Sequence, residues 1–195
     1  MGSKPDGDIT LVKIGGSSIT DKGNLETVNI DALNWLVQTI KRAIQQHKET
    51  TCKRFIIVHG AGSFGHHTAK EYGLKGITTF PPVATTRQHN EDIEKSQESS
   101  TPSRNRNIDQ HQLLGLGRTR ISVQKLNQII VKEFLDRDLP AVGISPCFGI
   151  LQETPVGLDD NGSCASPEMQ QDLIRSVVKS AIDAGLIPVL HGDAE

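Results

Sequence analysis

The sequence predicts an α/β fold, a mostly parallel sheet sandwiched between helices. Strand-like apolar runs alternate with helical stripes along the chain, and the strand runs are continuously apolar instead of alternating with polar residues. Continuous apolar strands are typical of parallel sheets that helices cover on both faces. Three of the four main strand runs also end in a segment that contains glycine. Ligands of such sheets bind beyond the carboxyl ends of the strands, so these segments form the candidate site.

The first half of the chain contains two strand–helix units. Both strand runs stop at glycines, and apolar residues recur at steps of three and four from Ile30 to Ile44, as in an amphipathic helix. The predicted elements are a strand at 9–14, a helix at 30–44, a strand at 54–59 and a short helix at about 66–72 closed by Gly73.

The second half repeats this alternation. Ser166 is a suitable N-cap, Pro167 suits the first helical position, and Gly185 suits the position after a helix. The predicted elements are a helix at 119–134 ended by Pro140, a strand at 141–144, a hairpin arm at 148–151, a helix that begins at Pro167 and a strand at 187–190.

Two stretches are expected to lie outside this framework. Residues 1–8 form a flexible leader, and residues 9–195 form one domain interrupted by a disordered insertion at about 77–113. Thr, Gln, Asn, Ser, Glu and Arg dominate residues 85–112, which therefore cannot bury enough apolar surface to offset the entropy of ordering them.

Composition excludes several classes of function. The 195 residues carry 21 Lys and Arg against 23 Asp and Glu, a net charge of −2 that gives no reason to expect a nucleic-acid partner. The longest apolar runs fall far below the ~20 residues that span a bilayer. Three widely spaced cysteines fit neither a disulfide framework nor a zinc site. A cytoplasmic protein without a metal-ligand motif is expected.

The first glycine segment has the chemistry of an anion site. Lys13 precedes Gly15 and Gly16, followed by Ser17, and Lys22 adds a second cation in a polar loop. Glycine lets backbone N–H groups approach an anion, and lysine adds a compact positive charge. The P-loop and dinucleotide-binding fingerprints do not fit this segment. A tight turn without a ligand, with Lys22 as a solvated surface residue, is the alternative.

The second glycine segment, residues 60–65, forms a candidate backbone nest beside a helix start. His66 follows it, where an imidazole can donate a hydrogen bond to a phosphate. We interpret His66 as a ligand contact and His59 as a core residue, and the alternative for His66 and His67 is an ordinary polar helix start.

Together these segments resemble the amino acid kinase superfamily and, within it, the isopentenyl phosphate kinases. The spacing of the two lysines and the Gly-Ser-Phe-Gly-His motif are the specific features, and fosfomycin-phosphorylating kinases are similar as well. The matching stretches are 12–17, 19–22, 58–66, 72–74, 119–123, 126–127, 140–142, 145–146 and 188–193.

The resemblance implies transfer of the γ-phosphoryl group of ATP, with Mg²⁺, onto isopentenyl phosphate to give isopentenyl diphosphate. It implies catalytic roles for Lys13, Lys22, His66 and Asp193, with Asp193 orienting the two lysines. It implies ATP-phosphate contacts by Lys13, Gly15, Gly16, Ser17 and Gly62, and acceptor-phosphate contacts by Ala61, His66 and Gly192. Ile77, Phe80 or the helix at 119–134 would line the isoprenoid pocket unless they are ordinary core residues, and complete members are expected to be homodimers.

The resemblance also implies that this chain lacks the C-terminal nucleotide lobe. The last strand is then expected inside the sheet with at least one neighbour missing. Two alternatives stay open. The chain is a non-catalytic isoform or fragment that at most binds a phosphate ligand or a partner, or the acceptor is another small phosphate or carboxylate, such as carbamate, glutamate, aspartate or UMP.

Overall fold

The computed structural model describes residues 8–46, 54–74, 109–145 and 167–192, which contain one sheet and its flanking helices. The strands are β1 (Ile9–Ile14), β2 (Arg54–His59), β3 (Ala141–Ile144) and β4 (Ile187–His191). The helices are α1 (Gly16–Ile19), α2 (Ile30–Gln46), α3 (His66–Glu71), α4 (Gln110–Leu135) and α5 (Pro167–Asp183), with a 3-10 turn at Gly62–Phe64. The predicted hairpin arm at 148–151 and the N-cap Ser166 lie outside the described residues.

All strand pairs are parallel, and the order across the sheet is β1-β2-β4-β3. This confirms the predicted sheet type. The expectation that the last strand lacks a neighbour is wrong, because β4 pairs with β2 on one side and with β3 on the other. The edges of the sheet, as described, are therefore β1 and β3.

Helices lie on both faces of the sheet. The connections from β1 to β2 and from β2 to β3 run in one direction across the sheet, whereas that from β3 to β4 runs back. Right-handed crossovers therefore place α2 and α4 on one face and α5 on the other. Helix α5 does not cover its whole face of the sheet, because Ile9 and Leu11 of the edge strand β1 remain 53% and 65% exposed.

The core lies between the sheet and the α2–α4 layer. Of the stripe predicted for α2, Leu33, Val37 and Ile40 are buried and Ile44 is half-buried, whereas Ile30, at the helix start, is 51% exposed. The matching stripe of α4 is buried, and both helices pack on inward-facing strand residues. These buried residues are Leu33, Val37 and Ile40 of α2, Leu126, Ile130 and Phe134 of α4, and Ile14, Phe55, Ile57 and Val189 of the sheet. In the part of the chain that the structure describes, no helix has the length and apolarity needed to cross a bilayer.

Helix α4 begins earlier than the sequence predicts. It starts at Gln110 instead of near Thr119, so the last residues of the expected insertion at 77–113 are helical, while 75–108 lie outside the described residues. A capping box starts the helix: Asp109 Oδ1 accepts from Gln112 N at 2.7 Å, and Gln112 Oε1 accepts from Asp109 N at 3.2 Å. Tertiary packing also holds this polar turn, since Gly115 packs directly against Tyr72.

Replacing the N-cap residue Asp109 should destabilise the start of α4. Asp109→Ala removes the acceptor for the Gln112 amide, and we expect the free energy of unfolding to fall by about 1 kcal/mol in urea melts. Asp109→Asn keeps a side-chain oxygen and should stay close to wild type. Equal destabilisation by both substitutions would mean that the carboxylate charge, and not the cap hydrogen bond, holds the helix start.

Candidate functional site

The three glycine-bearing strand ends lie next to one another. They follow β1, β2 and β4, which are adjacent in the sheet, and Ile14, His59 and His191 sit at matching register positions. Ligands of parallel sheets bind beyond the carboxyl ends of the strands, which is where these segments lie. The sheet order thus gathers segments that are far apart in sequence into one candidate site.

The turns after β1 and β2 touch backbone to backbone. A Cβ atom on Gly16 would lie 2.2 Å from the Gly62 nitrogen, and one on Gly62 would lie 2.7 Å from the Gly16 carbonyl oxygen. Gly62 also has a φ of +53°, which L-residues adopt only with strain. Both glycines are therefore required by the contact between the turns, independently of any ligand.

A buried hydroxyl fastens these two turns. Thr20 Oγ1 donates to the Gly16 carbonyl at 2.8 Å and accepts from the Ser63 amide at 3.0 Å. The Ser63 hydroxyl in turn donates to the carbonyl of Thr27 at 3.2 Å. Thr20 and Ser63 are not recognisable as site residues from the sequence, because nothing around either residue indicates a partner 43 positions away.

Lys22 lies in a closed loop of residues 20–28, here called the lysine loop. The Asp21 amide donates to the Thr27 carbonyl at 2.9 Å, and Thr20 and Val28 form a bridge that closes it. Asp21 also accepts from the Gly23 amide at 2.9 Å, and that bond, reinforced by the Asn24 side chain, lowers the pKa of the Asp21 carboxyl. The loop therefore has internal structure of its own.

Two contacts dock the lysine loop on the helices. His67 Nε2 donates to the Lys22 carbonyl at 3.1 Å, which ties the loop to α3. Lys125 of α4 forms a salt bridge with Glu26 at 3.0 Å. The sequence offered an ordinary polar helix start as the alternative for His67, whereas the structure shows it holding the loop that carries Lys22.

The predicted site residues separate into exposed and buried groups. Lys13, Gly15, Ser17, Lys22 and His66 are exposed, Ala61 and Gly192 are half-buried, and Gly16 and Gly62 are buried. The backbone amides of Gly16 and Ser17 belong to the first turn of α1, where no partner exists within the helix. The Gly192 amide donates to the His59 carbonyl at 2.9 Å, so it is already used. Asp193 lies outside the described residues.

His59 is a buried core residue, as the sequence analysis interpreted it. Its side chain lies under the site at 1% exposure, and burial lowers its pKa to about 4. Its ring is 6.0 Å from that of His191, also buried, and Asn127 of α4 contacts its Nε2 at 3.1 Å. A neutral histidine thus supports the turns from beneath, while the exposed His66 stands at the start of α3.

An open cleft of about 490 Å³ borders the site beyond β4. Gly143, Ser145 and His191 line it on the sheet side, and α4, including Asn127, forms the opposite wall. Among the described residues no three His, Cys, Asp or Glu side chains come together as metal ligands. The chemistry gathered here is that of backbone amides, lysines and the exposed imidazoles of His66 and His67, which suits an anion.

The turn-to-turn contact can be separated from backbone strain by comparing two glycines. Gly62→Ala adds a methyl group against Gly16 and Thr20, whereas Gly73→Ala, at a similar φ of +63°, meets nothing within 4 Å. We expect Gly73→Ala to cost about 1–2 kcal/mol of unfolding free energy from strain alone, and Gly62→Ala distinctly more, in chemical denaturation. Equal losses for the two variants would contradict the close contact.

The buried His59 should make the protein lose stability in mild acid. The unfolded chain takes up a proton on this histidine near pH 6.5, whereas the folded protein does so only near pH 4. Between these values the unfolded state binds more protons, so the free energy of unfolding falls as the pH falls, by up to about 1.4 kcal/mol per pH unit.

His59→Asn cannot titrate, and its stability should therefore depend less on pH over that window. The measurement is the difference in unfolding free energy between wild type and variant, by urea denaturation at pH 7, 6, 5 and 4. A difference that does not change with pH would show that His59 is not held neutral in the folded protein.

The model of the amino acid kinase family matches residues 8–195. Among curated proteins, the chain is 26% identical over 218 residues to the isopentenyl phosphate kinase of Arabidopsis thaliana, covering 94% of this chain and 52% of that protein. It is 25% identical over 186 residues to the isopentenyl phosphate kinase of Methanocaldococcus jannaschii, covering 95% and 55%. The chain spans about half the length of these curated relatives.

Solved structures agree with this assignment at the level of the fold. Superposition on the X-ray structures of isopentenyl phosphate kinase gives a TM-score of 0.58 at 23% identity, covering 95% of this chain and 57% of that one. A substrate complex of isopentenyl phosphate kinase gives 0.52 at 22% identity, covering 95% and 56%. With the parallel sheet, its flanking helices and the match of the family model over nearly the whole sequence, the chain belongs to the amino acid kinase family.

Proposed function

We propose that this chain carries the acceptor-binding and phosphoryl-transfer part of a kinase that converts isopentenyl phosphate to isopentenyl diphosphate with ATP. One observation carries the proposal. The glycine-bearing carboxyl ends of β1, β2 and β4 lie side by side, and His66 and the lysine loop adjoin the β2 turn. The names of the curated relatives support the choice of acceptor.

The chemistry needs charge stabilisation more than proton transfer. The acceptor is itself an anionic phosphate, so no strong base is required to deprotonate it. Phosphoryl transfer then depends on holding two anions in line and neutralising the charge that builds up between them. Lys13 and Lys22 are the cations we assign to that task, Lys13 at the end of β1 and Lys22 in the lysine loop. Asp193, in the proposal, orients them.

The acceptor phosphate is proposed to lie at the β2 turn. Ala61 supplies a backbone donor there, and His66, exposed at the first position of α3, supplies the side-chain contact. Gly192 closes the site from β4. Its amide donates to His59, so its contribution is the close approach of a backbone without a side chain.

The ATP phosphates are proposed to lie at the β1 turn. Gly15 and Ser17 are exposed beside the buried Gly16–Gly62 contact, and the first-turn amides of α1 face no partner within that helix. MgATP supplies the transferred phosphoryl group and a divalent charge. The described residues provide amides and lysines without a carboxylate cage, which fits a Mg²⁺ ion held chiefly by phosphate oxygens. We also propose a cytoplasmic location, from the cysteine pattern, and a homodimer for complete members, from the family resemblance.

Removing the imidazole of His66 should weaken binding of the acceptor. We expect His66→Ala to bind isopentenyl phosphate roughly 10–100-fold more weakly than wild type in isothermal titration calorimetry, the loss of one hydrogen bond to a charged group. Lys70→Ala is the matched control, because Lys70 is an exposed cation on the same helix. If the two variants lose affinity equally, the effect is general electrostatics and not a contact by His66.

Phosphoryl transfer is tested on the same 195-residue chain with MgATP and isopentenyl phosphate, following diphosphate formation by ³¹P NMR. Where turnover occurs, Lys13→Met should lower kcat by about 10²–10³-fold. Binding of isopentenyl phosphate without turnover would leave the chain an acceptor-binding, non-catalytic protein. No binding of isopentenyl phosphate, with binding of glutamate, aspartate, carbamate or UMP instead, would overturn the acceptor.

A further inference from the structure

We infer that His59 and Asn127 are positioning residues that aim the backbone N–H of Ala61 into the site. The inference rests on the proposed function, in which that N–H holds the acceptor phosphate. It assigns a task to two buried side chains that do not touch the substrate in the proposed function. It follows from the hydrogen bonds that join Asn127, His59 and Gly60.

The orientation of the Asn127 amide is fixed by a carbonyl. Asn127 Nδ2 lies 3.0 Å from the backbone oxygen of Val189 in β4, an atom that can only accept. The nitrogen must therefore face that oxygen, since the opposite orientation would place two acceptors together. Asn127 Oδ1 points towards Gly143 of β3, where a Cβ atom would come within 2.3 Å of it.

This orientation determines the tautomer of His59. The same Asn127 nitrogen lies 3.1 Å from His59 Nε2 and has a second hydrogen to donate, so Nε2 is the acceptor. In the neutral ring the proton then resides on Nδ1. His59 Nδ1 lies 3.1 Å from the carbonyl oxygen of Gly60 and donates to it. Asn127 thus donates both to Val189 and to His59, and His59 in turn donates to Gly60.

The Gly60 carbonyl shares a planar peptide unit with the Ala61 N–H. The described residues contain no cis peptide bond, so the two groups point in opposite directions from that plane. Holding the carbonyl down towards His59 therefore directs the Ala61 N–H away from the ring. Glycine at position 60 has a soft φ and ψ, and this peptide would otherwise rotate easily.

The β4 strand end repeats the arrangement. His191 pairs in register with His59, precedes Gly192 as His59 precedes Gly60, and its Nδ1 lies 3.3 Å from the Gly192 carbonyl. The Gly192 amide donates to the His59 carbonyl at 2.9 Å. Two His-Gly pairs on adjacent strands are thereby linked, so a shift of His59 moves both turns of the proposed acceptor site.

Two substitutions of His59 distinguish positioning from simple filling of space. His59→Asn keeps an amide donor where Nδ1 stands, whereas His59→Gln places its amide near Nε2 and leaves the Gly60 carbonyl without a donor. We expect calorimetry to show His59→Asn binding isopentenyl phosphate within about threefold of wild type and His59→Gln at least about tenfold more weakly, although both lose stability. Gln128→Leu, an exposed neighbour of Asn127, is the control for Asn127→Leu, which should resemble His59→Gln.

A second measurement needs no variant. The ¹⁵N chemical shifts of the His59 ring at pH 7 should show a protonated Nδ1 and an unprotonated Nε2. The opposite tautomer would overturn the inference, as would equal acceptor affinity for His59→Gln and His59→Asn in folded protein, and both results would leave the proposed function standing. A wild-type chain that binds no isopentenyl phosphate would instead overturn the proposed function, and the inference with it.

Discussion

The contact between the backbones of Gly16 and Gly62 is the constraint on which the site depends. It sets how closely the turns after β1 and β2 approach, because neither position has room for a side chain. Thr20 and Ser63 then join the same two turns through hydrogen bonds that are largely buried. An anion between the two turns would meet backbone amides whose positions are fixed before it arrives, and such preorganisation is what phosphoryl transfer demands of a protein.

The polar groups beneath the turns are satisfied by long-range partners, which makes their geometry specific. Asn127 uses both amide hydrogens, one on His59 and one on Val189, and so ties α4 to β2 and β4. An apolar residue at position 127 would fill space but would leave two buried acceptors without donors. Filling the core does not by itself require these buried polar side chains. Holding the strand ends in a fixed orientation does require them.

The fold and the glycine-bearing strand ends of the candidate site could be predicted because their signals are local. The stripe from Ile30 to Ile44, the apolar strands and the glycines at their ends depend on neighbours within a few residues. The start of α4 and the roles of Thr20 and Asn127 could not be predicted, because they depend on residues far away in the sequence. Ser63 is 43 residues from Thr20, and His59 is 68 residues from Asn127. The place of β4 between two partners is likewise a property of the whole sheet.

The three histidines of the β2–α3 segment divide the work according to their surroundings. His59, buried and with a pKa lowered by that burial, is suited to a fixed tautomer and a directed hydrogen bond. His67, exposed, is committed to the carbonyl of Lys22. His66 is exposed at the first position of α3, directly after the β2 turn in the sequence. The three side chains lie within nine positions of the sequence, and burial rather than residue type distinguishes His59 from the two exposed histidines. In the proposed function, this leaves His66 to contact the acceptor phosphate.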